Sequence, residues 1–227
     1  MDWSRLFGKI PASQHPSFWL EYLEQNRHPQ GKNTPLEEVC FVVFDTETTG
    51  LNPRIDRILS IGAVRVKGEQ IDLNRSFEHI LQQTDIPINR EAIGIHGIMP
   101  GESRTGKEEV EALADFVSFI GNSILVGHHL HFDVSILNEA LRRHKAGKLK
   151  NPAIDTRQLA VRLEKGLVPS DHKPGQYSLD ALCQRYQITT SDRHTAAGDA
   201  YITAILLLKL LSRLKKRGVK TLGQLLR

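Results

Sequence analysis

Cysteine, methionine and tryptophan are rare in this 227-residue sequence, which contains two of each. Cys40 and Cys183 are too few for a disulfide framework or a zinc site, and each lies in an apolar stretch, so we expect buried, reduced thiols. No continuous apolar segment of the signal-peptide type occurs near the N-terminus, and the longest apolar stretch, Ile202–Leu211, is interrupted by Lys209 and too short to cross a bilayer. The sequence therefore predicts a cytoplasmic protein with no membrane association.

Acidic residues are absent from the C-terminal end of the chain. From Ala204 to Arg227 there are seven Lys or Arg and no Asp or Glu, whereas the whole chain carries a formal charge of +4, so the remainder is net negative. A basic segment of this kind attracts polyanions, although a solvated helix face explains it equally well. If the stretch 213–217 contacts a nucleic-acid backbone, binding should weaken as salt rises.

The hydrophobic periodicity predicts an α/β fold. A continuous apolar run over Val39–Phe44 is typical of a central strand buried on both faces, and two further strands complete an antiparallel meander, after which helices and short strands alternate. The predicted strands are 39–44, 57–67, 71–81, 123–127 and one near 154; the predicted helices are 17–24, 110–120, 132–144, 157–163, 178–186 and 195–217. We expect a mixed sheet flanked by helices over residues 37–227, preceded by a helical extension and linker over residues 1–36.

Two acids follow the predicted central strand, in the segment Phe44-Asp-Thr-Glu-Thr-Thr-Gly50. Asp45 and Glu47 are two positions apart, so their side chains leave the same face of the strand. Two like charges 4 Å apart repel by about 4 kcal/mol at an effective dielectric near 20. A cation between them relieves that repulsion, whereas a strand end open to solvent makes it harmless, and this pair alone does not decide between the two.

Two more acids lie on apolar helix faces. Asp133 shares a stripe with Ile136 and Leu137, and Asp199 shares one with Ile202 and later leucines, so both are predicted to point towards the sheet. Each acid is also explained singly by the favourable dipole at a helix N-terminus. The helix dipole does not readily explain why three separate elements each direct carboxylates at one core.

Together the four carboxylates predict a site for two divalent cations. Oxygen-only ligands favour Mg²⁺ or Mn²⁺ over zinc, and a pair of such ions is a known device for in-line displacement at phosphorus. His194, five residues before Asp199, is placed to accept a proton from the attacking water at neutral pH. Without the acids, His194 would be interpreted as a surface residue near a helix start.

At this point three segments in order resemble the DEDDh 3′→5′ exonucleases. They are Phe44-Asp-Thr-Glu-Thr-Thr-Gly50, Gly127-His-His-Leu-His-Phe-Asp133 and His194-Thr-Ala-Ala-Gly-Asp199. Within this family the chain looks most like the proofreading epsilon subunit of bacterial DNA polymerase III. The resemblance extends from about residue 39 to residue 211.

The resemblance implies a ribonuclease-H-like fold and hydrolysis of single-stranded DNA from its 3′ end, which releases nucleoside 5′-monophosphates. It also implies that the four acids bind two metal ions, that all four and His194 are catalytic with His194 as general base, and that Thr48, His96 and His129 contact substrate. His129 stands where the family usually has Asn. This difference puts substrate binding at that position in question but does not affect the metal ligands. Asp155 matches a recurrent family segment and is interpreted as a helix cap.

Several alternatives stay open on the sequence. An RNA-trimming exoribonuclease of the same family has the same catalytic residues, and a non-catalytic nucleic-acid-binding module is a different class on the same fold. The complete set of four acids argues against the binding module. The expected partner is the 3′ end of single-stranded DNA or RNA, with a polymerase or another replication or repair protein as a further candidate.

Overall fold

The computed structural model describes residues 14–83, 97–99, 101, 104–165, 173 and 175–227. Five strands form one mixed sheet in the order β3-β2-β1-β4-β5. The first three pair antiparallel, and β4 and β5 are parallel to β1 and β4 respectively. The strands are β1 (Cys40–Thr48), β2 (Ile58–Lys67), β3 (Gln70–Ile80), β4 (Ile124–Gly127) and β5 (Ala153–Asp155). This confirms the predicted meander followed by parallel strands.

Helices cover both faces of the sheet. They are α1 (Ser17–Gln25), α2 (Glu109–Ile120), α3 (His131–Arg143), α4 (Thr156–Lys165), α5 (Leu179–Tyr186), α6 (Ala196–Lys216) and α7 (Leu222–Leu225). All six predicted helices are present within one or two residues of their expected bounds, because each has a clear 3.6-residue apolar stripe. The short α7 is the described helix that was not predicted. Its four residues offer no periodicity, and it is held by a capping box at Thr221 and Gln224.

Alternate residues of β1 divide the core into two layers. Phe41 and Val43 pack with α4, α5 and α6 on one face of the sheet, whereas Val42 and Phe44 pack with α1, α2 and α3 on the other. Strand residues alternate between faces with a period of two, so a continuous apolar strand is required at this central position. The face on which each later residue of β1 emerges is fixed by the same alternation.

The close approach of β2 to α6 depends on a glycine. A Cβ atom added to Gly62 would lie 2.2 Å from the backbone of Ala196 and Ala197, far inside van der Waals contact. Gly62 is paired with Asp45 across the β1–β2 ladder. The absence of a side chain at Gly62 therefore lets the first turn of α6 lie directly beside the end of β1.

The helix α1 packs on the sheet domain. Trp19 and Tyr22 are almost fully buried in the core layer that contains α2, and the Tyr22 hydroxyl donates to the Asn151 side chain at 2.5 Å. At the other end of the chain, Pro35 and Thr221 form an isolated antiparallel bridge. The division between residues 1–36 and 37–227 stays a prediction; in the described part of the chain, α1 shares a core layer with the domain.

Both cysteines are free thiols; Cys183 is buried, as expected, whereas Cys40 is only half-buried. Among the described residues, no helix has the length and apolar character needed to span a bilayer.

Candidate metal and active site

Three carboxylates from two elements meet beside the C-terminal end of β1. Asp45, Glu47 and Asp199 each offer an oxygen, and the three oxygens lie within 4.8 Å of one another. Asp45 and Glu47 leave the same face of β1, as their spacing predicts, and Asp199 faces them from the first turn of α6. Asp199 is buried, whereas Asp45 and Glu47 retain part of their surface open to solvent. The carboxylate cluster is therefore open to solvent on the side of Asp45 and Glu47.

The fourth predicted acid, Asp133, lies against the other face of β1. It is buried in the first turn of α3, and its Oδ1 accepts hydrogen bonds from the Thr46 amide at 3.1 Å and the Thr46 hydroxyl at 2.6 Å. Asp133 is not one of the three residues whose carboxylate oxygens lie within 4.8 Å of one another. Because its charge acts on both Asp45 and Glu47, it still belongs electrostatically to the same cluster.

Burial and mutual repulsion change the acidity of these groups. Burial raises the pKa of Glu47 from 4.5 to about 7, and the charges of Asp199 and Asp133 act in the same direction. The pKa of Asp45 is raised well above its ordinary range, first by burial and then by the charges of Asp133, Asp199 and Glu47. Burial also raises the pKa of Asp133, although the hydrogen bonds from Thr46 oppose the rise. The cluster is therefore costly to ionise without a cation among its members.

A cationic side chain that the sequence analysis did not single out also touches the cluster. Arg193 pairs with Asp199 through Nη1 and with Asp180 through Nε, the latter at 2.8 Å. Thr46 was likewise named there only as part of a motif, yet it holds Asp133. The position of Arg193 directly before His194 was the available signal for it, but a charged residue in a loop has no periodicity from which its direction can be predicted.

His194 and His129 both adopt left-handed backbone conformations, with φ of 65° and 59°. Such values are uncommon for residues other than glycine and occur often at functional sites. His194 is exposed in the loop before α6, five residues from Asp199, and His129 is exposed before α3, where its amide donates to Asp155 Oδ1 at 3.2 Å. Both side chains are therefore accessible from solvent near ends of helices that carry the acids.

The roles of the remaining predicted site residues stay predictions, and the structure describes the positions of some of these residues. Thr48 is half-buried at the end of β1, where a register shift interrupts the ladder, and its hydroxyl donates to the Gly50 carbonyl at 2.8 Å. His96 lies outside the described residues. Asp155 accepts a hydrogen bond from the Arg157 amide at 2.8 Å at the start of α4, which confirms its role as a helix cap.

A cavity of about 310 Å³ lies beside the N-terminus of α6. Its lining includes Thr195 and Ala196 of that terminus, Ile98 of the segment after His96, and Ser60 of β2. A larger cavity of about 1100 Å³ lies at the opposite end of β1, around Cys40, and so is remote from the carboxylates. Of these two cavities, the smaller lies nearer to α6, the helix that carries Asp199.

The basic C-terminal end of α6 is distant from these acids. Arg213 lies fourteen positions after Asp199 in the same helix, which corresponds to about 21 Å at 1.5 Å per residue. Arg213 stacks on the Tyr186 ring, and Lys215 pairs with Glu37 at 2.7 Å. These contacts favour the interpretation of this segment as a helix face with structural partners over a role in gripping substrate at the carboxylate site.

Comparison with known proteins agrees with this geometry. The sequence model of the RNase_T family, described as Exonuclease, matches residues 42–207, which include every acid of the cluster. The chain belongs to this exonuclease family. The predicted resemblance is thereby confirmed.

Relatives of this exonuclease-family chain include proteins named as DNA polymerase III or as similar to one of its subunits. It is 36% identical over 188 residues to a DNA polymerase III PolC-type of Oceanobacillus iheyensis, a match that covers 81% of the chain and 12% of the relative. It is 38% identical over 199 residues to a DNA polymerase III subunit epsilon-like protein of Rhodobacter capsulatus, covering 85% of the chain and 27% of the relative. The chain thus spans about an eighth of the PolC-type relatives and about a quarter of the epsilon-like relative.

Solved structures support the ribonuclease-H-like fold. E. coli Exonuclease I in complex with a dT13 oligonucleotide superposes with a TM-score of 0.67 at 20% identity, covering 80% of this chain and 43% of that one. The Exonuclease I–SSB-Ct complex superposes with a TM-score of 0.66 at 20% identity, covering 79% and 42%. At this level of identity the similarity concerns the fold.

Proposed function

We propose that this chain is a divalent-metal-dependent 3′→5′ exonuclease of single-stranded DNA that releases nucleoside 5′-monophosphates. The observation that carries the proposal is the convergence of Asp45, Glu47 and Asp199 oxygens within 4.8 Å of one another in a chain of the exonuclease family. PolC-type and epsilon-like relatives favour a proofreading or repair role, with a polymerase or another replication or repair protein as partner.

The donor set fits hard divalent cations such as Mg²⁺ or Mn²⁺. All four candidate ligands are carboxylates, and hard oxygen ligands suit these ions. Asp45, Glu47 and Asp199 would hold one ion. Asp133, whose charge acts on Asp45, would contribute to a second ion. When bound, the ions would supply the Lewis acidity that phosphodiester hydrolysis requires.

Protein groups would provide the proton transfer and the positioning. His194, exposed beside the N-terminus of α6, would accept the proton of the attacking water, because a neutral imidazole is a competent base near pH 7. Thr46 would keep Asp133 aimed at the end of β1 through its two hydrogen bonds. Thr48, His96 and His129 would contact the terminal nucleotides, for which the cavity of about 310 Å³ offers adjoining space.

Oligonucleotides of DNA and RNA test the proposal. A 5′-labelled single-stranded DNA should shorten stepwise, and a 3′-labelled one should release a labelled mononucleotide at once, in Mg²⁺ or Mn²⁺ but not in a chelator. Asp45→Asn should abolish release, whereas the matched control Asp115→Asn, an acid paired with Lys107 and His79 away from the cluster, should retain it.

The same assay separates the alternatives. Faster shortening of RNA than of DNA would favour an exoribonuclease. Absence of metal-dependent release from either polymer would instead favour a non-catalytic binding module and contradict the proposal.

A further inference from the structure

Arg193 joins the acidic cluster to a neighbouring helix. Its Nη1 contacts Asp199 Oδ1, and its Nε contacts Asp180 Oδ1 at 2.8 Å on α5. The side chains of Arg193 and Asp199 are only 16% and 11% exposed, whereas that of Asp180 is 66% exposed. One end of this ion-pair chain is therefore inside the candidate metal site, and the other end is at the surface.

The charge of Arg193 acts on more than its two partners. It opposes the rise in the pKa of Asp45 and of Glu47, although it makes no ion pair with either in the structure. The guanidinium thus partly neutralises a cluster whose members repel one another. Arginine does not lose its proton in proteins, so its positive charge is withdrawn from the cluster only if the side chain moves away.

We propose that Arg193 is an internal counter-cation of the candidate metal site, which holds Asp199 in the metal-free protein and exchanges it for a divalent ion while remaining bound to Asp180. This rests on the proposed function. The two contacts use different nitrogens, so Nη1 can release Asp199 without loss of the bond from Nε. Arg193 is then a positioning residue, since it keeps the segment that carries His194 attached to α5 during the exchange.

Competition of this kind has a consequence for metal affinity. A divalent ion must displace a favourable, largely buried ion pair before it gains Asp199, so the arginine should weaken metal binding. Arg193→Gln should bind Mn²⁺ roughly tenfold more tightly or better, judged by the strength of charge interactions at contact distance. Arg157→Gln is the matched control, because it removes a positive charge at the same edge of the sheet, beside the Asp155 cap. Within the described part of the chain, the ion pair to these acids comes from Arg193 and not from Arg157.

The test is calorimetric titration of Mn²⁺ into the whole chain and both variants at one pH and ionic strength. We expect tighter binding by Arg193→Gln and little change for Arg157→Gln. Equal or weaker binding by Arg193→Gln would overturn the inference, as would an equal gain in both variants, which would indicate a general charge effect. Should the wild type bind no divalent ion, the proposed function would fail with it.

A second readout uses the metal-free protein. Thermal unfolding in a chelator should occur at lower temperature for Arg193→Gln than for the wild type, because Asp199 is left buried without a partner. Mn²⁺ should restore more stability to this variant than to the wild type. If Arg193→Gln does not fold without metal, Arg193→Lys can be tested in its place. Lysine keeps the positive charge but cannot hold Asp199 and Asp180 through separate nitrogens. Its Mn²⁺ affinity should exceed that of the wild type, and an unchanged affinity would contradict the exchange.

Discussion

Replacement of Glu47 by glutamine should stabilise the metal-free protein at alkaline pH. Burial raises the pKa of Glu47 from 4.5 to about 7. An acid whose pKa is higher in the folded state binds more protons there than in the unfolded state, so folding stability falls as pH rises from about 4.5 through about 7. Glutamine has a similar shape but no charge, so the Glu47→Gln variant should not lose this folding stability as the pH rises.

The magnitude follows from the size of the shift. A displacement from 4.5 to about 7 corresponds to about 3 kcal/mol at pH 8 if nothing screens the charge. Because Glu47 retains some exposure to solvent, we discount this to about 1–2 kcal/mol. In a domain of this size such a gain raises the midpoint of thermal unfolding by about 3–6 °C. At pH 5 the gain should shrink to a few tenths of a kcal/mol.

Thermal unfolding in a chelator at pH 5 and pH 8 measures this difference. Glu24→Gln is the control, because Glu24 is exposed on α1 and its ion pair with Arg27 lies at the surface, so its replacement should change stability by less than about 0.5 kcal/mol. Added Mg²⁺ or Mn²⁺ should stabilise the wild type more than Glu47→Gln, since a ligand has been removed. If Glu47→Gln is no more stable than the wild type at pH 8 without metal, the electrostatic argument for the cluster is refuted.

Other substitutions examine the remaining parts of the site. Asp45→Ala should abolish hydrolysis with the fold intact, measured by nucleotide release and circular dichroism, and unchanged turnover would count against the scheme. His194→Ala should lower kcat by about 10²–10⁴ while calorimetry still detects metal binding. Thr46→Val, which removes the hydroxyl donor to Asp133, should lower activity or metal affinity about 10–100-fold. Gly62→Ala should destabilise the protein by at least about 1–3 kcal/mol in denaturant unfolding, because its Cβ would overlap the backbone of α6.

Local sequence patterns were enough to predict the five strands, six of the seven described helices and the face of its element on which each acid lies. Asp45 and Glu47 lie on one face of β1 because side chains alternate along a strand, and Asp133 and Asp199 point inwards because each continues an apolar helix stripe. Such periodicities are local, so they can be counted along the chain without knowledge of the fold. The same local order of motifs carried the family resemblance.

How the acids are grouped, and which side chains hold them, depends on packing between elements that are distant in the chain. Asp133 reaches the end of β1 from the opposite face and is bound by Thr46, and Arg193 pairs with Asp199 from a loop without periodicity. These contacts join residues whose relative position depends on how helices pack across the sheet. Distances between side-chain atoms are set by that packing, here by the close approach of α6 to Gly62, and sequence spacing within one element does not specify them.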